Sequence, residues 1–143
     1  DNVRNISHQK NVTAMIDKAL IPSVNIVANR LKSSEKLDVE VTNIDLKQKI
    51  KNFIELQLFR IIQELLTNTI KHAKASTVSI QFSEENNTLN VVYEDDGNGY
   101  DTVATREGVG LKNINSRIRK IGGSLAVDSN PGNGTTVILN VPI

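Results

Sequence analysis

Apolar residues recur along this chain at two different periods, and the switching between them lays out the expected elements. Leu58, Ile61, Ile62, Leu65, Leu66 and Ile70 stand three or four residues apart. That spacing is the stripe of an amphipathic helix, predicted over Leu56 to Ala75 with a start as early as Ile50. Leu111, Ile114, Ile118 and Ile121 predict another helix, stopped by Gly122-Gly123. Nearer the N-terminus Ile16, Leu20, Val24, Val27 and Leu31 keep helical spacing, but Pro22 lies among them, and proline inside a helix breaks its hydrogen-bond ladder. Two short helices are expected there, the second from about Pro22 to Lys32. Apolar and polar residues alternate in Leu37–Asn43, Ser76–Phe82 and Thr88–Glu94, and Ser124–Asp128 and Thr135–Val141 complete five predicted strands. Glu84-Glu85-Asn86-Asn87 and Asn130-Pro131-Gly132-Asn133-Gly134 read as hairpin turns. Five strands with hairpin-joined neighbours and three main helices predict an α+β domain. Its expected form is a two-layer α/β sandwich, a mixed but mainly antiparallel sheet with helices on one face.

The polar side of the central helix changes the picture. Glu64, Asn68, Lys71 and His72 fall at i, i+4, i+7 and i+8, so all four are expected on one side. A carboxylate, an amide oxygen, an ammonium and an imidazole together suit a metal ion and a phosphate. These residues alone are equally compatible with a plain solvated face.

Composition narrows the classes. A chain of 143 residues is one domain, and 38% hydrophobic with 23% charged residues is ordinary for a globular protein. A net charge of +1 without a basic, aromatic-interleaved tract does not indicate a nucleic-acid surface. The absence of cysteine excludes disulfides, thiolate metal sites and cysteine nucleophiles, and fits a reducing compartment. No apolar run has the length of a membrane span. Because the chain opens on Asp1, it is expected to be a piece of a longer protein, cytoplasmic itself, whose parent is open to membrane anchoring.

Three glycine loops are the remaining candidates for chemistry. Asp95-Asp96-Gly97-Asn98-Gly99 follows a strand, with glycines that permit close backbone approach and a strand-end carboxylate able to accept from an amino group. Gly108-Val109-Gly110-Leu111 opens a helix, where free N–H groups and the helix dipole favour an anion. It is neither a Walker A motif nor a dinucleotide fingerprint. Gly132-Asn133-Gly134-Thr135 leads into the last strand with a hydroxyl beside it. Each loop taken singly also reads as a plain turn.

Their order is informative. E-x-x-x-N on a helix, then D-x-G-x-G, G-x-G-L and G-x-G-T resemble the ATP-binding catalytic domain of bacterial sensor histidine kinases. That domain has the Bergerat fold of the superfamily that includes DNA gyrase B, MutL and the anti-sigma-factor kinases. QELLTNTIKHA, Gln63 to Ala73, is similar to the family's N box. GVGLKNINSRIRKIGG followed by SNPGNGTTV resembles the nitrate-sensor and lipid-fluidity-sensor subfamily in particular. The resemblance covers residues 37 to 143 well and the start loosely, implying a helical dimerisation tail over 1–33 and the ATP domain over 34–143. It implies that Asn68 holds Mg2+, that Asp95 accepts from the adenine amino group, and that Gly97, Gly99 and Thr135 support the base. It further implies Lys71 and His72 at the phosphates, Tyr100 to Glu107 as a short lid, and Gly108, Val109, Gly110 and Leu111 as its hinge and phosphate-facing backbone. Glu64, Asn68, Lys71 and His72 would form the catalytic set.

Such a kinase phosphorylates a histidine on a dimerisation domain and relays the phosphate to a response regulator. His72 lies in the N box, which leaves His8; its neighbour is Gln9, whereas the family's acceptor is usually followed by Asp or Glu. Val3 to His8 instead resembles the tail of a dimerisation helix, so the acceptor is expected on a region outside this chain. The chain alone is expected to be a monomer and its parent a homodimer. The alternatives are a hydrolase of the gyrase and MutL type, with Glu64 as general base, an anti-sigma-factor-type serine kinase, and a module that only docks a partner.

Overall fold

The computed structural model describes residues 20–44, 46–99 and 111–143. In chain order they form α1 (Leu20–Ser34), β1 (Asp38–Ile44), α2 (Asn52–Asn68), a π-helical turn (Thr69–Ala73), β2 (Thr77–Glu85), β3 (Thr88–Asp95), α3 (Leu111–Lys120), β4 (Ser124–Ser129) and β5 (Thr135–Pro142). The strands make one sheet in the order β1-β2-β3-β5-β4. β1 pairs parallel with β2, across the α2 crossover, and every other pairing is antiparallel. The sheet is therefore mixed and mainly antiparallel, with its helices gathered over one face, as the periodicities predict.

That one-sidedness follows from the alternation. Val78, Ile80 and Phe82 of β2, Leu89, Val91 and Tyr93 of β3, and Val137, Leu139 and Val141 of β5 are buried, while the residues between them are wetter. The buried rows join Leu58, Ile61, Ile62, Leu65 and Leu66 of α2 and Ile114 and Ile118 of α3 in a single core. Full burial of each such side chain stabilises the fold by roughly 1.5–3 kcal/mol. Leu20 and Val24 of α1 belong to the same core. The backbone N–H of Leu20 also donates to the buried Glu55 carboxylate of α2 at 2.8 Å.

Local chemistry explains the turns. Asn86 and Asn87 both have positive φ, 52° and 60°, as a two-residue hairpin of the strand-compatible hand requires. Gly122, at φ 72°, ends α3, and the Gly123 N–H donates to the Ile118 carbonyl at 2.9 Å. Glu84 holds the β1–α2 connection against the hairpin by accepting the Lys47 and Gln48 N–H groups at 2.9 and 3.0 Å.

The helices depart from expectation. The helix expected from about Pro22 to Lys32 is α1, which in the described residues runs from Leu20 to Ser34 and takes in Pro22 near its start. The short helix expected before it lies outside the described residues. The central helix is not α-helical to Ala75, because the chain widens into a π-turn at Thr69. Both expected hairpins, β2–β3 and β4–β5, form, and β5 rather than β4 pairs with β3. Among the described residues no helix is long and apolar enough to cross a membrane.

Candidate functional site

The C-terminal end of α2 meets the sheet where β3 and β5 end and begin. Asp95 lies directly opposite Thr135, Thr135 opposite Ser129, and Asp95 opposite Val78. This is the row of inward positions one step beyond the apolar rows, so the alternation that buries Tyr93 and Val137 also turns Asp95 and Thr135 toward the helices. Between this row and α2 lies a cavity of about 60 Å³, walled by Leu65, Ala73 and Val137 and bearing Thr69, Tyr93, Asp95 and Thr135. Asn68, His72 and Gly99 complete its lining.

The Asp95 carboxylate is held from two sides. One oxygen accepts the Gly97 N–H at 3.0 Å and the other the Thr69 hydroxyl at 3.1 Å. Thr69 in turn lies 2.6 Å from the Tyr93 hydroxyl, which is 3.1 Å from the Leu65 carbonyl. Burial pushes the Tyr93 hydroxyl far above the ordinary tyrosine range; the nearby Asp95 charge pushes the same way and the Thr69 bond opposes it. On the other side of the cavity Ser129 and Thr135 share a hydroxyl contact of 2.9 Å, and the Ser129 hydroxyl donates to the Gly134 carbonyl at 3.0 Å.

The glycines serve chain-to-chain approach as much as ligand access. A Cβ on Gly97 would lie 2.5 Å from the Ala73 carbonyl oxygen, and the Asn98 N–H donates to that same oxygen at 2.6 Å. Gly99, at φ 66°, passes against the backbone of Asn130 and Gly134. The Gly132 N–H donates to the Asn98 carbonyl at 2.5 Å. The end of the N-box segment, D-D-G-N-G and G-N-G-T are thus bonded or packed to one another through their backbones. Asp96 anchors the middle loop by accepting the Ser76 and Thr77 N–H groups at 2.8 and 2.9 Å. Those bonds, Thr77's first, hold its carboxyl below the usual range.

Of the residues singled out in the sequence, Asn68, His72, Asp95, Gly99 and Thr135 come together at the cavity. Gly97 lies behind it against Ala73. Glu64 and Lys71 are not among its lining residues; Glu64 is half-buried and Lys71 exposed. In helical projection these two fall on one side of Asn68, and Leu65, Thr69 and His72 on the other. Leu111 opens α3, whereas His8, the expected lid Tyr100 to Glu107, and Gly108, Val109 and Gly110 lie outside the described residues. Among the described residues no three His, Cys, Asp or Glu side chains gather as a metal-binding group. A hard cation would here have Asn68 as its protein oxygen, beside ligands brought by a phosphate. Thr69, Tyr93 and Ser129 join the site without being candidates from the sequence. Their signal was present: each carries a hydroxyl at a position where the period points inward, and a buried hydroxyl needs a partner.

The family model described as histidine kinase-, DNA gyrase B- and HSP90-like ATPase matches residues 53–143. The chain belongs to this family of ATP-binding domains. Among curated relatives it is 33% identical over 142 residues to the signal transduction histidine-protein kinase/phosphatase DegS of Brevibacillus brevis, covering 99% of this chain and 37% of that protein. It is 38% identical over 85 residues to the kinase/phosphatase UhpB of Salmonella typhimurium, covering 59% of this chain and 17% of that one. The chain therefore spans well under half the length of these relatives. A blue-light activated histidine kinase of Erythrobacter litoralis shares the fold, with a TM-score of 0.71 at 21% identity over 86% of this chain and 41% of that one.

Proposed function

We propose that residues 34–143 are the ATP-binding catalytic domain of a sensor histidine kinase of the nitrate-sensor type, and that residues 1–33 are the tail of its dimerisation region. The γ-phosphoryl group of ATP passes to a histidine on that dimerisation domain and then to a response regulator. One observation carries the reading: a carboxylate held by two donors at the end of an apolar-walled cavity, beside Asn68 and His72. Apolar walls suit a flat purine, and a fixed acceptor suits its exocyclic amino group.

In this reading Asp95, held by the Gly97 N–H, accepts the adenine 6-amino group, Gly99 borders the base, and Thr135 adds a hydroxyl. Asn68 holds Mg2+ through its amide oxygen, and the ion supplies charge neutralisation to the triphosphate when bound. Lys71 and His72 bind phosphate oxygens, with the backbone of Gly108 to Leu111. Phosphoryl transfer asks mainly for positioning and charge stabilisation, which this set can provide. Glu64, next to Asn68 in helical projection, completes the catalytic set.

Titration of the chain with ATP and Mg2+ tests the reading. Saturable binding, and phosphate appearing on a histidine of an added dimerisation fragment, are the expected results. No saturable binding rejects the ATP site. Steady hydrolysis without an acceptor, abolished in Glu64→Ala, would transfer the assignment to an ATP hydrolase.

A further inference from the structure

The polar atoms of the cavity form a directed chain, and proton counting gives its direction. An ionised carboxylate only accepts, so the 3.1 Å contact with Asp95 takes the single hydroxyl proton of Thr69. The 2.6 Å contact between Thr69 and Tyr93 then needs the proton of Tyr93. The Leu65 carbonyl, at 3.1 Å from the Tyr93 oxygen, receives the weaker share of that same proton. The helix has already bonded the Leu65 carbonyl to the Thr69 N–H. Burial keeps the Tyr93 hydroxyl protonated throughout the neutral range, so the order Tyr93 to Thr69 to Asp95 does not reverse.

The direction bears on which purine fits. Thr69 and Tyr93 line the same cavity as Asp95, so a free hydroxyl proton there would offer a donor to a 6-oxo purine. The Ser129 proton goes to the Gly134 carbonyl, so the Thr135 proton fills the Ser129–Thr135 contact, and with the other two protons pointed along the chain these hydroxyls present acceptors only. A 6-amino group finds its acceptor, whereas a 6-oxo group meets a carboxylate and no donor, leaving buried polar atoms unpaired.

We propose that Thr69, backed by Tyr93, is a positioning residue that sets purine selectivity, by fixing the rotation of the Asp95 carboxylate and committing the hydroxyl proton that a 6-oxo purine would need. The proposal rests on the ATP-site reading. It also gives the π-turn a role. Thr69 is its first residue, 3% exposed, and is held where an α-helical stripe would place an apolar side chain. π-turns of this kind recur at functional sites.

The test is competition binding on the 143-residue chain with ATP and inosine triphosphate, which carries a 6-oxo group, for the parent and Thr69→Val, Thr69→Ser and Tyr93→Phe. Valine keeps the shape of threonine and removes the hydroxyl; serine keeps the hydroxyl. Expected for Thr69→Val is an ATP affinity lower by about tenfold, the worth of one hydrogen bond to a charged group, with a collapsed preference for ATP over inosine triphosphate. Thr69→Ser should retain both affinity and preference, and Tyr93→Phe should lose part of the preference. Equal preference in the parent and Thr69→Val overturns the proposal, as does a Thr69→Ser chain that behaves like Thr69→Val. Melting curves without nucleotide separate selectivity from folding: a loss of preference that exceeds any loss in inosine triphosphate affinity supports the proposal, while equal losses for both nucleotides overturn it. A parent that binds neither nucleotide fails at the ATP site itself and takes this proposal with it.

Discussion

At the strand end of the cavity, Asp95, Thr69 and Tyr93 are joined by bonds of 2.6 to 3.1 Å, and Tyr93 and Thr69 are almost wholly buried. On the helix side Lys71 and His72 are exposed. The two regions meet at Asn68 and would serve one nucleotide, yet they are built differently. The buried end is organised before any ligand arrives, so little ordering free energy is lost there on binding. The exposed end offers charge on flexible stems, which suits a highly charged triphosphate that needs attraction more than shape. A small cavity can thus be selective for the base while remaining adaptable toward the phosphates.

Substitutions break this comparison in graded steps. The largest effect is expected for Asp95→Asn, which swaps a pure acceptor for a group that must also place two protons. ATP binding should weaken by about 100-fold, the upper range for a lost bond to a charged group. Titration reads the affinity, and an unchanged melting midpoint would show that Asp95, at a strand end, is not needed for the core. Next comes Gly97→Ala, whose new methyl meets the Ala73 carbonyl. It should cost about 1–3 kcal/mol of stability, an overpacking penalty, measured as a lower urea midpoint. Here the damage starts in the scaffold and reaches the site second, the reverse of Asp95→Asn.

The exposed end should respond more weakly. Lys71→Ala is expected to reduce ATP affinity by about threefold at low salt, and the difference should shrink at high salt because exposed charges are screened. A loss that ignores salt would mean that Lys71 is less solvated with nucleotide bound than its exposure suggests. The smallest effect concerns Asp96. Its carboxyl is held below the usual range in the folded chain, so its contribution is present above the unfolded value of about pH 4 and fades as the pH falls further. Asp96→Asn should therefore be less stable than the parent at neutral pH and converge with it toward pH 2 in urea titrations. Glu84, lowered first by the Gln48 and then by the Lys47 N–H, adds acid sensitivity of the same sign that survives in that variant.

How far these regions could be read in advance differs for a physical reason. Asp95 and Thr135 follow from alternation along single strands, and Asn68 and His72 from helical spacing, all of them short-range periodicities. Thr69 falls on the buried stripe, four residues after Leu65, and helical spacing does not say that its hydroxyl finds a carboxylate on the sheet. Tyr93 reads as one more inward apolar residue of β3 until its hydroxyl is seen to reach a helix. The spacing of the glycines in D-D-G-N-G suggests clearance for a ligand. The closest atoms to Gly97 instead belong to Ala73, and those to Gly99 to Asn130 and Gly134.

By itself the sequence determined the five strands and the places of α1, α2 and α3, the buried face of the inner strands, the turn chemistry at Asn86-Asn87 and Gly122-Gly123, and the residue types available for chemistry. All of these depend on neighbours a few positions away. Only the tertiary structure decided that β5 lies between β3 and β4, which sets Asp95 across from Thr135, and that Asn68 and His72 enter the cavity while Glu64 and Lys71 stay outside it. It also decided that two hydroxyls stand behind the carboxylate. Those outcomes depend on contacts between residues far apart in the chain, where the packing of α2 against the sheet, and not local preference, chooses the partner of each polar atom.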